Sequence, residues 1–345
     1  MQVIYSDAHR AHDPQSFISR GALTRSPEMP ARADRLIAAL RGTDRPVAAP
    51  QSFGPAPVAA VHSPDYLRFL EHGAAEWAKL AGPGTEIVPN VHPGRHMLTR
   101  PEGIVGLAGY HMADTACPIG EGTWRAARAA ADVALTAADL VLDGAASAYA
   151  LCRPPGHHAY ADMAGGFCFL NNVAIAAEHV AARRGRVAIL DVDVHHGNGT
   201  QGIFYERSDV YFISIHADPT AFYPFFAGYA HERGAGSGHG YNLNLPLAPG
   251  SGDDVFLGAV DKALAAIASF APAVLLVSLG LDAQANDPLG VLKVSTEGFD
   301  RIGAAIAGLN LPTVLVQEGG YLCDEIEANL LSFLSGFEAG QNASG

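Results

Sequence analysis

Residues 187–200 read VAILDVDVHHGNGT. Four apolar residues, two of them β-branched, give way at once to two Asp, two His, two Gly and an Asn. Acids and imidazoles at the end of a buried strand are costly unless they are paired, hydrogen-bonded or bound to a metal. In an extended segment residues i and i+2 point to the same side. Asp193 and His195 are therefore predicted to converge on one ion.

The same arrangement recurs along the chain. Short apolar runs at 2–5, 187–190, 210–215, 273–281 and 313–316 are predicted as strands. Ala- and Leu-rich segments with helical spacing at 124–142, 171–184, 254–270 and 296–309 separate them. Strands without in-and-out alternation, divided by helices, predict an α/β fold with a parallel sheet covered on both faces. In such sheets ligands bind beyond the carboxyl ends of the strands. Reactive residues collect at those ends. AYALC leads into RPPGHH with His157 and His158, and VAIL into Asp191, Asp193, His195 and His196. VYFISI ends at His216, AVLLVSLGL at Asp282, and TVLVQ leads into EGGY with Tyr321.

Composition bounds the function. The 345 residues are 49% hydrophobic and 17% charged, enough for a large core, so wholesale disorder is not expected. The formal charge of −13 argues against a nucleic-acid partner. Four scattered cysteines (Cys117, Cys152, Cys168, Cys323) contain no CxxC pair and fit reduced thiols in a cytoplasmic protein. No secretory signal is predicted at the start, and the longest apolar run, 273–281, is too short to span a bilayer, so the chain is expected to be soluble without a membrane partner. Residues 81–100, AGPGTEIVPNVHPGRHMLTR, show no periodicity and are predicted as a long loop, a feature often functional in a compact chain. The tail AGQNASG, 339–345, is expected to fray.

Asp282, from another strand end, completes an Asp2His set with Asp193 and His195. Such a set with an open position suits a catalytic Zn2+, and Fe2+, Mn2+ or Co2+ have the same ligand preferences. Adjacent imidazoles after the Pro-Pro-Gly turn suit general base work, one taking a proton from water while the other holds positive charge. Two glycines before Tyr321 allow close backbone approach and present a phenol that donates to a developing oxyanion.

Taken together, RPPGHH, GGFCFLNNVAIAA, ILDVDVHHGNGTQ, SLGLDAQANDPLG and EGGY resemble the zinc-dependent deacetylase family, the histone deacetylases and their bacterial relatives. The resemblance runs from about residue 1 to residue 335 and is greatest to the acetylpolyamine amidohydrolases. It implies the arginase–deacetylase α/β fold, a central, mainly parallel eight-stranded sheet flanked by helices, in a single deacetylase domain spanning 1–345 with the 81–100 loop inserted near the active-site mouth. Carried over residue by residue, it implies that Asp193, His195 and Asp282 hold one Zn2+. His158 is then the general base and acid, His157 its electrostatic partner, and Asp191 the acceptor for His157. Asn198 partners His158 where many histone deacetylases have Asp, and Tyr321 polarises the acetyl carbonyl. Phe167 and Tyr223 are implied as walls of the acyl channel, with Gly166 and Gly319 beside them. One K+ site is implied at Asp191, Asp193, His195, Ser214 and Ile215, and a second at Phe204, Arg207, Val210 and Tyr241. The substrate implied is a small cationic acyl-amine, with Asp114 recognising its distal ammonium, and the assembly a homodimer formed through the 81–100 loop.

Three rivals share some of these features. A protein N-acetyl-lysine deacetylase of the histone type uses the same chemistry with a more open mouth. A ureohydrolase of the arginase type needs two metals, and the sequence offers one full ligand set and leaves Tyr321 without a role. A catalytically silent acyl-amine binder is expected to have lost a ligand, His158 or Tyr321, and all are present.

Overall fold

The structure is a computed structural model and describes residues 1–343. It begins with strand β1 (Gln2–Ile4), the hairpin β2 (Ser16–Ser19) and β3 (Ala22–Arg25), helix α1 (Ala31–Arg41) and strand β4 (Val47–Ala48). Helices α2 (Ala56–Ala59), α3 (Pro64–Trp77), α4 (Ile104–His111) and α5 (Thr123–Leu142) precede β5 (Ser147–Ala150). The second half alternates: α6 (Asn172–Arg184), β6 (Val187–Asp191), α7 (Asn198–Phe204), β7 (Val210–Ala217), β8 (Asn242–Leu247), α8 (Asp253–Phe270), β9 (Val274–Leu279), α9 (Thr296–Ala307), β10 (Thr313–Gln317) and α10 (Ile326–Ala343).

Eight strands form one sheet in the order β4-β1-β5-β10-β9-β6-β7-β8, and every pairing in it is parallel. The eight strands agree with expectation; the sheet is wholly rather than mainly parallel. Side chains alternate across a strand, and here both faces are dry. Val187 and Ile189 join α5 and α6 on one face, while Ala188 and Leu190 join α8, α9 and α10 on the other. That double burial explains why these strands read as continuous apolar runs.

Helix ends follow local chemistry. Asn171 caps α6 by accepting from the Ala174 amide, and Ser295 caps α9 by accepting from Gly298. Strand β9 stops at Leu279, short of the predicted 281, and β7 runs on to Ala217. The expectation of a frayed tail is corrected for residues 339–343, which continue α10; Gln341 there accepts from the Ser147 hydroxyl at 2.9 Å. Residues 344–345 of that expectation lie outside the described residues.

The 81–100 segment carries no helix or strand, as predicted. It is pinned at a few points. Ile87 bridges Ile119, and His92 Nδ1 lies 2.8 Å from the Met112 carbonyl. A Cβ on Gly109 of α4 would run into the Val91 carbonyl, so the bare glycine admits the loop. Among the described residues no helix is long and apolar enough to cross a membrane.

Candidate active site

Because the sheet is parallel, the carboxyl ends of β5, β6, β7, β9 and β10 share one edge. The polar segments that follow them meet there. Asp193, His195 and Asp282 bring one ligand atom each to within 4.8 Å of one another, and all three are buried. His195 Nδ1 stands 3.2 Å from Asp193 Oδ1 and 3.2 Å from Asp282 Oδ2. Backbone amides fix the carboxylates: Gly319 donates to Asp193 at 2.8 Å and Val194 to Asp282 at 3.0 Å. Side chains at Gly280 and Gly319 would collide with Asp193 and Asp282, so two glycines leave these carboxylates their room.

Two buried carboxylates this close repel one another. Burial, and then Asp193, push Asp282 up to about 7. Burial opposes charge on His195, but its bonds to Asp193 and Asp282 hold it at about 9. Protons do here what a bound cation does better, since buried charges are stable only when paired or coordinated. Two carboxylates and one imidazole fit a borderline divalent metal.

His157 and His158 lie beside this set, their ring centroids 4.0 Å apart, and the two behave oppositely. His157 Nδ1 donates to Asp191 Oδ2 at 2.9 Å. Burial alone would lower His157, but Asp191 and Asp193 override it and hold the ring at about 10. His158 Nδ1 donates to Asn198 Oδ1 at 2.6 Å. Burial, then the charge on His157 and on His195, drives His158 well below the usual imidazole range. One imidazole is a fixed cation; its neighbour is neutral, with the proton on Nδ1 and a lone pair on Nε2.

These groups open into a cavity of about 510 Å³, whose lining includes His157, His158, Asp193, His195, Gly319 and Tyr321. Phe167 and Tyr223 line it as well. The Phe167 ring is 5.8 Å from that of Tyr321, and Tyr223 stands edge-on to His158 at 4.9 Å. Gly166, at φ 51°, passes against the His158 ring where a Cβ would collide. Tyr321 is buried, and among the described residues nothing hydrogen-bonds its hydroxyl. Burial raises that phenol well above its ordinary value, which favours its protonated, donating form.

Several contributors escaped the sequence reading. Phe222 stacks on His195 at 4.8 Å between centroids, and the exposed β2–β3 hairpin forms part of the rim through Phe17–Arg20. Glu318 accepts from the Gly156 amide at 2.6 Å and the His157 amide at 3.1 Å, tying the EGGY turn to the PPGHH turn. Its place in EGGY was a visible signal; the adjacency of Phe222 to Tyr223 was another.

Asp114 is placed at the same cavity, but not as a free acid at the mouth. Its Oδ2 accepts from the Tyr223 hydroxyl at 2.6 Å and the Gly166 amide at 3.0 Å, and its Oδ1 from the Ala116 amide at 2.8 Å. The carboxylate clasps both channel walls. Asp114→Ala is therefore expected to raise KM about tenfold for neutral and cationic acyl-amines alike, as for losing one or more charge-assisted hydrogen bonds. Parallel steady-state assays on the two substrate types check this; a loss confined to cations would place the ammonium on Asp114.

Of the residues expected at a first K+ site, Asp191 lies opposite Ser214 across β6 and β7, one residue from Ile215. Phe204 ends α7, the Arg207 amide just beyond it donates to the Phe204 carbonyl at 2.9 Å, Val210 opens β7, and Tyr241 accepts through its carbonyl from Phe212 at 3.1 Å. Both sets are thus assembled around β7. A second metal-type group, His157, Cys168 and Glu318, is already engaged: His157 with Asp191, Glu318 with two backbone amides, and the Cys168 thiol with the Gly166 carbonyl.

Comparison with known proteins gives a consistent result. The Histone deacetylase domain matches residues 26–337. The acetylpolyamine amidohydrolase of Burkholderia pseudomallei (strain 1710b) is 51% identical over 95% of this chain and 96% of its own. Acetylpolyamine amidohydrolase 1 of Pseudomonas aeruginosa is 46% identical over 98% of this chain and 99% of its own. The crystal structure of acetylpolyamine aminohydrolase from Burkholderia pseudomallei, an iodide soak, superimposes with a TM-score of 0.95 at 49% identity, covering 99% of both chains. With its parallel sheet, its buried Asp2His set and its paired imidazoles in one aromatic-walled cavity, this chain belongs to the histone deacetylase domain family.

Proposed function

We propose that the protein removes acetyl groups from acetylated polyamines, hydrolysing the amide to acetate and a free amine. One observation carries the reading: the Asp193–His195–Asp282 set and the neutral His158 face the same aromatic-walled cavity. The substrate class rests on the names of the relatives above. Asp193, His195 and Asp282 would hold Zn2+, which when bound supplies Lewis acidity to the amide carbonyl and acidifies water. His158 Nε2 takes the proton of the attacking water. Tyr321 donates to the oxygen that becomes negative as the carbonyl carbon turns tetrahedral. His158 then returns its proton to the amine nitrogen, and the C–N bond breaks. His157, already charged and held by Asp191, keeps His158 from retaining that proton.

K+ at the first set would neutralise the buried Asp191–Asp193 region, and K+ at the second would be held near the start of β7. The chain would work as one deacetylase unit in the cytoplasm, without nucleic-acid or membrane partners. Turnover of N-acetylputrescine, longer acetylpolyamines and an acetyl-lysine peptide tests the reading. Faster turnover of the peptide would replace it with protein-lysine deacetylation.

We further propose that the 81–100 loop forms a homodimer and narrows the mouth. The support is its apolar surface, with Leu98 91% exposed, close to a cavity that His92 and Pro93 share with Phe225 and the 93%-exposed Phe226. Deleting the loop is expected to give a monomer with relaxed size selectivity. Light scattering of both forms and the substrate comparison above check this; a monomeric intact protein would refute it.

A further inference from the structure

The partner of His158 is an amide, and an amide has two unlike ends. A carboxylate offers an acceptor whichever way it turns. Asn198 helps only with its oxygen toward His158 Nδ1. Turned over, its NH2 would donate to Nδ1, and the imidazole proton would move to Nε2. His158 could then not accept a proton from water. The reaction therefore needs something that holds the amide the right way round.

That something is visible on the far side of Asn198. Its Nδ2 donates to the Tyr160 hydroxyl at 3.1 Å. A phenol can donate or accept, so what decides its role is where its own proton points. Tyr160 and Asn198 both line a second cavity, of about 560 Å³, together with Asp162. Burial raises the Tyr160 phenol, and Glu232 and Asp162 act on it in the same direction. Among the described residues the Tyr160 hydroxyl makes no other hydrogen bond, so its proton is free to point into the cavity. The oxygen lone pairs are left for the Asn198 NH2.

Packing fixes the pair. Tyr160 lies two residues beyond His158. The Cδ1–Cε1 edge of its ring meets Gly202 of α7, where a Cβ would stand 2.5 Å from both of those atoms. Asn198 opens the same helix, and a Cβ at Gly199 would collide with the Ala159 carbonyl. The bare face of α7 thus sets the reach from Tyr160 to Asn198.

We propose that Tyr160 is a positioning residue: it accepts from Asn198 at the end of a His158–Asn198–Tyr160 chain and keeps the amide oxygen on His158, leaving Nε2 free. The bonds run in one sense. Each places an oxygen toward the imidazole, so the chain also steadies the charge that His158 carries in mid-reaction. The proposal rests on the reading of His158 as the base.

Tyr160→Phe keeps the ring on Gly202 and removes only the oxygen. In the metal-loaded enzyme with N-acetylputrescine, kcat is expected to fall about five- to tenfold, the worth of one hydrogen bond, with KM changed less than about twofold. In an Asn198→Asp background the same change should alter kcat by less than about twofold, because a carboxylate has no wrong end. Nitrogen-15 NMR of labelled histidine should find His158 protonated on Nδ1 in the native enzyme and a rising Nε2-protonated fraction in Tyr160→Phe. An equal fall in both backgrounds, an unchanged kcat or an unchanged tautomer would overturn the proposal. Near-normal activity of His158→Ala would instead overturn the reading on which it stands.

Discussion

Asp282→Ala is expected to abolish metal retention and amide hydrolysis together while the fold persists. Asp282 supplies one of two carboxylates in a set whose ligand atoms lie within 4.8 Å. Removing it leaves one carboxylate and one imidazole, too few for the three protein ligands of a catalytic zinc site. Among the described residues no other Asp, Glu or Cys completes a three-ligand set with Asp193 and His195. The fold should survive for an electrostatic reason. Without a cation, Asp282 is a buried acid pushed up to about 7 by burial and by Asp193, so its loss relieves repulsion. Against that, the Val194 amide loses its acceptor, a cost of about 1–3 kcal/mol for an unsatisfied buried donor. His195→Ala should behave alike. Elemental analysis, acetate release and circular dichroism on the purified variants check all three parts. A variant that keeps stoichiometric metal or native turnover would remove Asp282 from the ligand set.

Much of this site was legible because it is built from short motifs at strand ends. The spacing of Asp193 and His195 needs only the two-residue period of an extended chain, and Asp282 follows an apolar run of its own. The continuous burial of β6, β7, β9 and β10 made them predominantly apolar, with no in-and-out alternation. Strand β8 was missed for the opposite reason. It is an edge strand, half exposed, and NLNLPL mixes Asn into its pattern. Strand β4 is two residues long and carries no periodicity at all.

What stayed hidden is what only the folded chain brings together. Asp114 and Tyr223 are 109 positions apart, and nothing local marks their 2.6 Å bond. Read alone, Asp114 was an acid near a cationic substrate; in the fold its oxygens are taken by channel walls. The hairpin β2–β3 has no buried pattern, with β3 exposed throughout, yet its tip helps to form the rim of the cavity. Tyr160 showed no signal either, since its role depends on a glycine in a helix that starts 38 residues later.

His158→Ala is expected to cost far more than Asn198→Asp, and the two should differ in kind. Among the described residues His158 is the one neutral imidazole lining the cavity with a free Nε2, so its loss removes both proton transfers, worth about two to four orders of magnitude in kcat. His157 cannot replace it. It is held at about 10 by Asp191 and Asp193, and a group already protonated cannot act as a base. Asn198→Asp leaves the base in place and changes its charge environment. The new carboxylate would sit where Asn198 Oδ1 now lies, 2.6 Å from His158 Nδ1. An opposite charge at that distance favours the imidazolium and raises the pKa of His158. Its neutral form would then be lost earlier as the pH falls, so the acidic limb of kcat/KM should move to higher pH. Burial and the charged His157 still press His158 downward, which keeps the shift from abolishing the neutral base at working pH. Profiles of kcat/KM against pH for the native enzyme and both variants decide the matter. An acidic limb unmoved by Asn198→Asp would mean that the group titrating there is not His158.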